Sequence, residues 1–144
     1  FYEPKTIHES SLSPSIHSIF ASELGYEAAA LNFFGFATRM DLDDYNRNTR
    51  EGLHTTSIAA SWMNIVYGFG GLRSDGKILS LNPTIPSIWQ SYTFNFLYQG
   101  QHIKVSVTHN NVEISNHGKQ SITLVVYGNI YELIDKLSLK RGND

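Results

Sequence analysis

The sequence predicts an α+β chain in which helices come first and a small antiparallel β-sheet or sandwich follows. Three observations predict it. Apolar residues recur every three or four positions in the first half, they alternate with polar residues after Arg73, and glycines gather where the period changes. In residues 14–24, Ile16, Ile19, Phe20 and Leu24 are spaced for one face of a helix; Pro14 suits its first turn and Gly25 its end. Residues 26–40, YEAAALNFFGFATRM, predict a second helix that is apolar on most sides. Residues 53–67, LHTTSIAASWMNIVY, predict a third, closed by Gly68, Gly70 and Gly71. Strands are expected at 77–81, 92–98, 102–108, 111–115 and 121–127, separated by Asp75-Gly76, Gln99-Gly100, Asn110-Asn111, residues 116–118 and Gly128-Asn129. The boundary is expected near residues 70–76, dividing the chain into 1–72 and 73–144.

Three helices with apolar residues on most faces cannot cover one another fully, because each wide apolar face needs a neighbour to remove it from water. The expected neighbours are helices outside this sequence. The opening residue Phe1, with no initiator Met, points the same way: the chain reads as a piece of something longer.

Composition narrows the function classes. With 41% hydrophobic residues the 144-residue chain is expected to fold, and with 11 basic against 13 acidic residues it has no surplus of positive charge for nucleic acid. There is no cysteine, hence no disulfide, thiolate metal site or thiol nucleophile, and Asn82 is followed by Pro83, which removes the one candidate glycosylation acceptor. These features point to a cytoplasmic protein. No run approaches the roughly 18 apolar residues of a membrane helix, so no membrane association is expected.

Chemistry concentrates at two polar junctions. Residues 8–18, HESSLSPSIHS, precede the first helix, and residues 52–57, GLHTTS, precede the third. A helix start presents unpaired N–H groups and partial positive charge, a natural place for an anion, and small hydroxyl residues add donors without blocking approach. Ser10, Ser11, Ser13, Thr55, Thr56 and Ser57 are of that kind. The plain alternative is that they cap and turn the chain. His54 adds a cation or a neutral donor beside Thr55, and His8 with Glu9 repeats the pattern. Asp41, Asp43 and Asp44 lack the glycine and distal glutamate spacing of a calcium loop and read as a turn after a helix, with Asn46 and Asn48 completing its polar bonds. No metal site is expected. Trp62 reads as helix core and Trp89, after Pro86, as packing the β module against the helical part, with stacking on a sugar the alternative for either.

Taken in order, FYEP at the start, HESSLSP at 8–14, LDDYN at 42–46, EGLH at 51–54 leading to Trp62, and GFGG at 68–71 resemble glycoside hydrolase family 65. The likeness spans nearly the whole chain, strongest over residues 1–73, and the HESS and FYEP wording is closest to the members that act on maltose. It implies an (α/α)6 catalytic barrel, of which this chain would hold the last helices, followed by a C-terminal β-sheet domain. It also implies inverting phosphorolysis. A carboxylic acid protonates the glycosidic oxygen while inorganic phosphate attacks the anomeric carbon from the opposite face, giving β-glucose 1-phosphate and glucose, so that phosphate takes the place of the water in an inverting hydrolase.

By the same resemblance the phosphate contacts fall at His54 and Ser57, then at Ser10 and Ser11, with His8 facing sugar or phosphate. The general acid is expected upstream of Phe1, so no catalytic residue is assigned here: Glu9 and Glu51 sit in motifs with other roles. No cofactor is implied, phosphate being a substrate, and the implied partners are a disaccharide, phosphate, the rest of the barrel and a second copy in a homodimer. Where the family has glycine and a small residue before the tryptophan, this chain has Ala60-Ser61-Trp62, an added methyl that bears on packing or phosphate affinity. Trehalose, kojibiose and nigerose are the alternative disaccharides, hydrolysis the alternative reaction, and a noncatalytic carbohydrate-binding or assembly module the alternative class.

Overall fold

A computed structural model describes residues 3–7, 10–45, 47 and 49–141. His8, Glu9, Asn46 and Asn48 lie outside these, and with them the expectations attached to His8 and to the two asparagines. The chain divides into two compact units, Phe1–Gly68 and Phe69–Asp144.

The first unit holds α1 (Ser13–Glu23), α2 (Glu27–Arg39) and α3 (Thr55–Met63), with short 3-10 turns at Glu3–Lys5 and Thr49–Glu51. Gly25 (φ 75°) ends α1: its N–H bonds the Ser22 carbonyl at 3.1 Å and the Tyr26 N–H bonds the Ala21 carbonyl at 2.8 Å. That paired closure needs a left-handed residue, which glycine adopts without a Cβ penalty. The third helix does not stop at Met63 but widens into a π-helix, Asn64–Phe69.

Packing within this unit reverses the usual order of sizes. The buried residues of α1 are Pro14, Ser15, Ser18, Ala21 and Ser22, and those of α2 are Ala30 and Ala37. Small side chains let the two backbones come close enough for the Ser18 hydroxyl to donate to the Ala30 carbonyl at 2.9 Å. The apolar stripe that marks α1 in the sequence points outward instead: Ile16 is 44% exposed, Phe20 57% and Leu24 65%. Trp62, expected in the core, is 48% exposed, because the face of α3 turned inward carries Ser57, Ala60 and Asn64.

The second unit contains seven strands in two sheets. One has the order β2 (Ser91–Tyr98), β3 (Gln101–Thr108), β4 (Asn111–Asn116), β7 (Lys136–Lys140), antiparallel throughout; the other has β1 (Leu79–Leu81), β5 (Ile122–Val126), β6 (Asn129–Leu133). The sheets are not wholly antiparallel as expected, since β1 pairs with β5 in parallel, Leu79 opposite Leu124. All of β2 to β4 lies between them in sequence, enough chain for the crossover that a parallel pair needs. Tight two-residue turns at Gln99-Gly100 (φ 51°, 73°) and Tyr127-Gly128 (φ 51°, 77°) match the right-handed twist of their hairpins.

Alternation does what the sequence implies. Ile103, Val105 and Val107 on β3 and Val112 and Ile114 on β4 are fully buried, as are Leu124 and Val126 on β5, while Lys104, Thr123 and their like face water. With each sheet burying one face and no other layer among the described residues of this unit, the two buried rows form a shared core. Phe69, Trp89 and Tyr92 close one end, with ring centroids 4.7 Å and 5.9 Å apart in sequence along edge-to-face contacts. Tyr92 Oη lies 2.7 Å from both the Phe69 and the Thr84 carbonyl oxygens, either of which can accept its one proton, and its burial pushes the phenol far above the ordinary range.

Candidate phosphate-side site

Two bonds tie the start of α1 to α3, one at the start of α3 and one just past its end. The Ser57 hydroxyl, at the third residue of α3, donates to the Ser11 carbonyl at 2.8 Å, and the Asn64 side-chain amide donates to the Ser15 carbonyl at 2.7 Å. Beneath the first of these, Met40 is 2% exposed and its Sδ lies 3.7 Å from Ser57 Oγ. The two polar junctions of the sequence thus meet in space.

Neither helix start is capped by a side chain: Leu12 and His54 stand at the cap positions, and neither side chain bonds a first-turn N–H. The capping role open to the serines and threonines is therefore not the one they take. Ser10 Oγ accepts from the Leu12 N–H at 3.3 Å, a turn contact that leaves its own proton free. Thr55 and Thr56 are exposed at the start of α3. The Ser57 and Ile58 N–H groups both reach the His54 carbonyl, at 2.9 Å and 3.1 Å.

Of the sequence-assigned phosphate residues, Ser10 is exposed, Ser11 half-buried, His54 half-buried and Ser57 buried at 1%. Ser57 is the one whose geometry differs from its assignment: its proton is spent on a backbone carbonyl in a closed environment, so its visible work is to join the two helix starts. His54 is held by a partner that sequence reading missed. Its Nδ1 lies 2.5 Å from Asp41 Oδ1, and its backbone N–H donates to Asp41 Oδ2 at 2.9 Å. Those bonds, the ring's first, hold the Asp41 carboxyl below the usual carboxylate range.

The three aspartates after α2 diverge instead of converging. Asp43 accepts from Arg39 Nε and Nη2, at 2.8 Å and 2.6 Å, which lowers its pKa, and Asp44 accepts the Thr49 N–H and hydroxyl, at 3.1 Å and 2.9 Å. Among the described residues no group of three His, Asp or Glu side chains could hold a metal ion. Glu51 is exposed in its 3-10 turn, and no helix of the described residues is long and apolar enough to cross a membrane.

What the arrangement can do is receive an oxyanion. Two uncapped helix starts, free hydroxyl donors at Ser10 and in the first turn of α3, and a clamped imidazole lie around one junction. Residues 1–63 match the central catalytic domain of glycosyl hydrolase family 65 and residues 72–133 its C-terminal domain. The chain is 50% identical over 107 residues to a maltose phosphorylase of Bacillus subtilis, covering 74% of this chain and 14% of that one. It is 46% identical over 112 residues to an α,α-trehalose phosphorylase of Thermoanaerobacter brockii, covering 78% and 14%. A solved structure provisionally named a kojibiose phosphorylase from the human microbiome shares 57% identity at a TM-score of 0.93, over 99% of this chain and 21% of that one. The chain spans about a seventh of the length of those two curated relatives. It belongs to glycosyl hydrolase family 65, carrying part of the central catalytic domain followed by the C-terminal domain.

Proposed function

We propose that this chain supplies the phosphate side of an inverting disaccharide phosphorylase. The observation that carries the reading is the meeting of two uncapped helix starts beside His54, joined by Ser57 and Ser11. Phosphate binds there through His54 and the hydroxyls of Ser10 and Ser11, with Ser57 fixing the spacing and His8 on the sugar or phosphate side. The first-turn N–H dipoles of α1 and α3 favour the anion, and an oxyanion held on that side attacks the anomeric carbon while an acid outside this sequence protonates the leaving oxygen. Glucose and β-glucose 1-phosphate are the products.

Maltose is the first substrate to test, favoured by the wording of the HESS and FYEP motifs and by the 50% identity to a maltose phosphorylase; trehalose and kojibiose follow. Residues 1–72 are the last helices of an (α/α)6 barrel and 73–144 the β module after it. A cytoplasmic homodimer completes the reading, and residues 1–144 alone are inactive because the acid is elsewhere. In a full-length chain carrying this segment, His54→Ala is expected to lower phosphorolysis at low phosphate by about 100-fold or more, the scale of a lost charge-assisted contact to a reacting anion. Wild-type activity at low phosphate would refute the assignment.

A further inference from the structure

We infer that Asp41 is the positioning residue of the phosphate side, holding His54 by ring and backbone together so that Nε2 is the nitrogen presented to phosphate. This rests on the reading of His54 as a phosphate ligand. An ionised carboxylate only accepts hydrogen bonds, so with Asp41 Oδ1 2.5 Å away the donor must be Nδ1–H. Fixing the proton on Nδ1 leaves Nε2, across the ring, as the variable position. There it donates to a phosphate oxygen when protonated and accepts from a phosphate hydroxyl when not.

The second bond, from the His54 N–H to Asp41 Oδ2, fixes the backbone at the residue before α3. One carboxylate therefore sets the position of the residue and the direction of its ring, and both side chains are sheltered, at 12% and 18% exposure. Asp41 is itself an anion, which would repel phosphate at close range, so its role runs through the imidazole it holds. Nor is the residue interchangeable with its neighbours, since Asp43 is taken by Arg39 and Asp44 by Thr49. Met40 packs on Ser57 while Asp41 clamps His54, so two consecutive residues after α2 locate the first turn of α3.

The test is steady-state kinetics on a full-length chain carrying this segment, comparing wild type, Asp41→Asn, His54→Ala and the double variant, with phosphate and maltose varied separately. Asn keeps one acceptor and loses the charge. Its expected effect is a rise of about 10-fold or more in the KM for phosphate, the size of a weakened charge-assisted bond, with the KM for the disaccharide within about twofold. In the His54→Ala background the same change is expected to move the phosphate KM by less than about twofold, because nothing is left to position.

An unchanged phosphate KM in Asp41→Asn, with His54→Ala impaired, overturns the positioning role alone. Equal rises in both KM values, or an undiminished effect without His54, overturn it in favour of a general structural role. A normal phosphate KM in His54→Ala instead removes the reading underneath. Should Asp41→Asn not fold, Asp41→Glu keeps the charge and displaces it by one methylene; it is expected to raise the phosphate KM selectively, and an unchanged value overturns the proposal.

Discussion

The two units bury opposite kinds of residue. In the β unit the core is Ile103, Val105, Val107, Val112, Ile114, Leu124 and Val126, each at 0% exposure, and the polar positions face water except for the buried Gln101 and Asn116. In the helical unit the buried positions are largely serine and alanine, while Ile16, Phe20, Leu24, Leu53, Ile58 and Trp62 stand between 44% and 65% exposed. The β unit draws its stability from apolar area removed from water within itself. The helical unit draws on close backbone approach and on bonds such as Ser18 to Ala30, Ser57 to Ser11 and Asn64 to Ser15, and leaves many of its larger apolar side chains exposed. The unit that carries the candidate site is thus the one less able to stand by itself.

The sharpest way to break this comparison is to shorten one large apolar residue in each unit. In residues 1–144 by themselves, Ile103→Ala, fully buried, is expected to cost about 2–5 kcal/mol, whereas Phe20→Ala stays within about 0.5 kcal/mol. Each unit holds one tryptophan, Trp62 and Trp89, so single-tryptophan variants followed in urea read the units separately. A large loss from Phe20→Ala would mean that α1 has a covered apolar face after all. The reverse substitution gives a smaller effect: Ala30→Leu, placed at 0% exposure in the close α1–α2 contact, is expected to cost about 1–3 kcal/mol by overpacking, and a neutral result would show slack between the helices.

Smallest is the response to acid. Asp41 and Asp43 have depressed pKa values in the folded helical unit, so their contribution is complete above the ordinary carboxylate value of about 3.9 and is lost as pH falls through the lower folded value. Carboxyl titration by NMR is expected to place both midpoints below that value, and an ordinary midpoint for Asp41 would show its clamp on His54 to be open in solution.

Much of this architecture was legible in the residues. Periods of three to four and of two set the helices and five of the strands, and glycine with proline set most of the breaks. Legibility failed where pairing depends on distance along the chain: β1 joins β5 in parallel, and β6 begins at Asn129, directly after a turn one residue earlier than the Gly128-Asn129 expected. β7 was readable in principle, since Leu137 and Leu139 alternate with polar neighbours, but its half-buried edge position weakens the contrast. The outward stripe of α1 was visible as a stripe; which side it faced was not, because serine and alanine carry little periodic signal.

For the site, the motifs led to the two helix starts and to His54, but not to Asp41. An aspartate 13 positions before a histidine has no signature, and the run of three acids around it invited a comparison with metal loops instead. The join between the helix starts was equally hidden, since Ser57 reaches a main-chain carbonyl 46 positions away.

That reach matters for anyone reshaping the junction between α1 and α3. A hydroxyl whose partner is a peptide carbonyl works as a gauge, setting how far apart two entrances stand while contributing no atom to the guest. On the proposed reading, fitting a bulkier oxyanion there would begin with that serine and not with the histidine, because the spacing can be retuned while every proposed contacting group is kept.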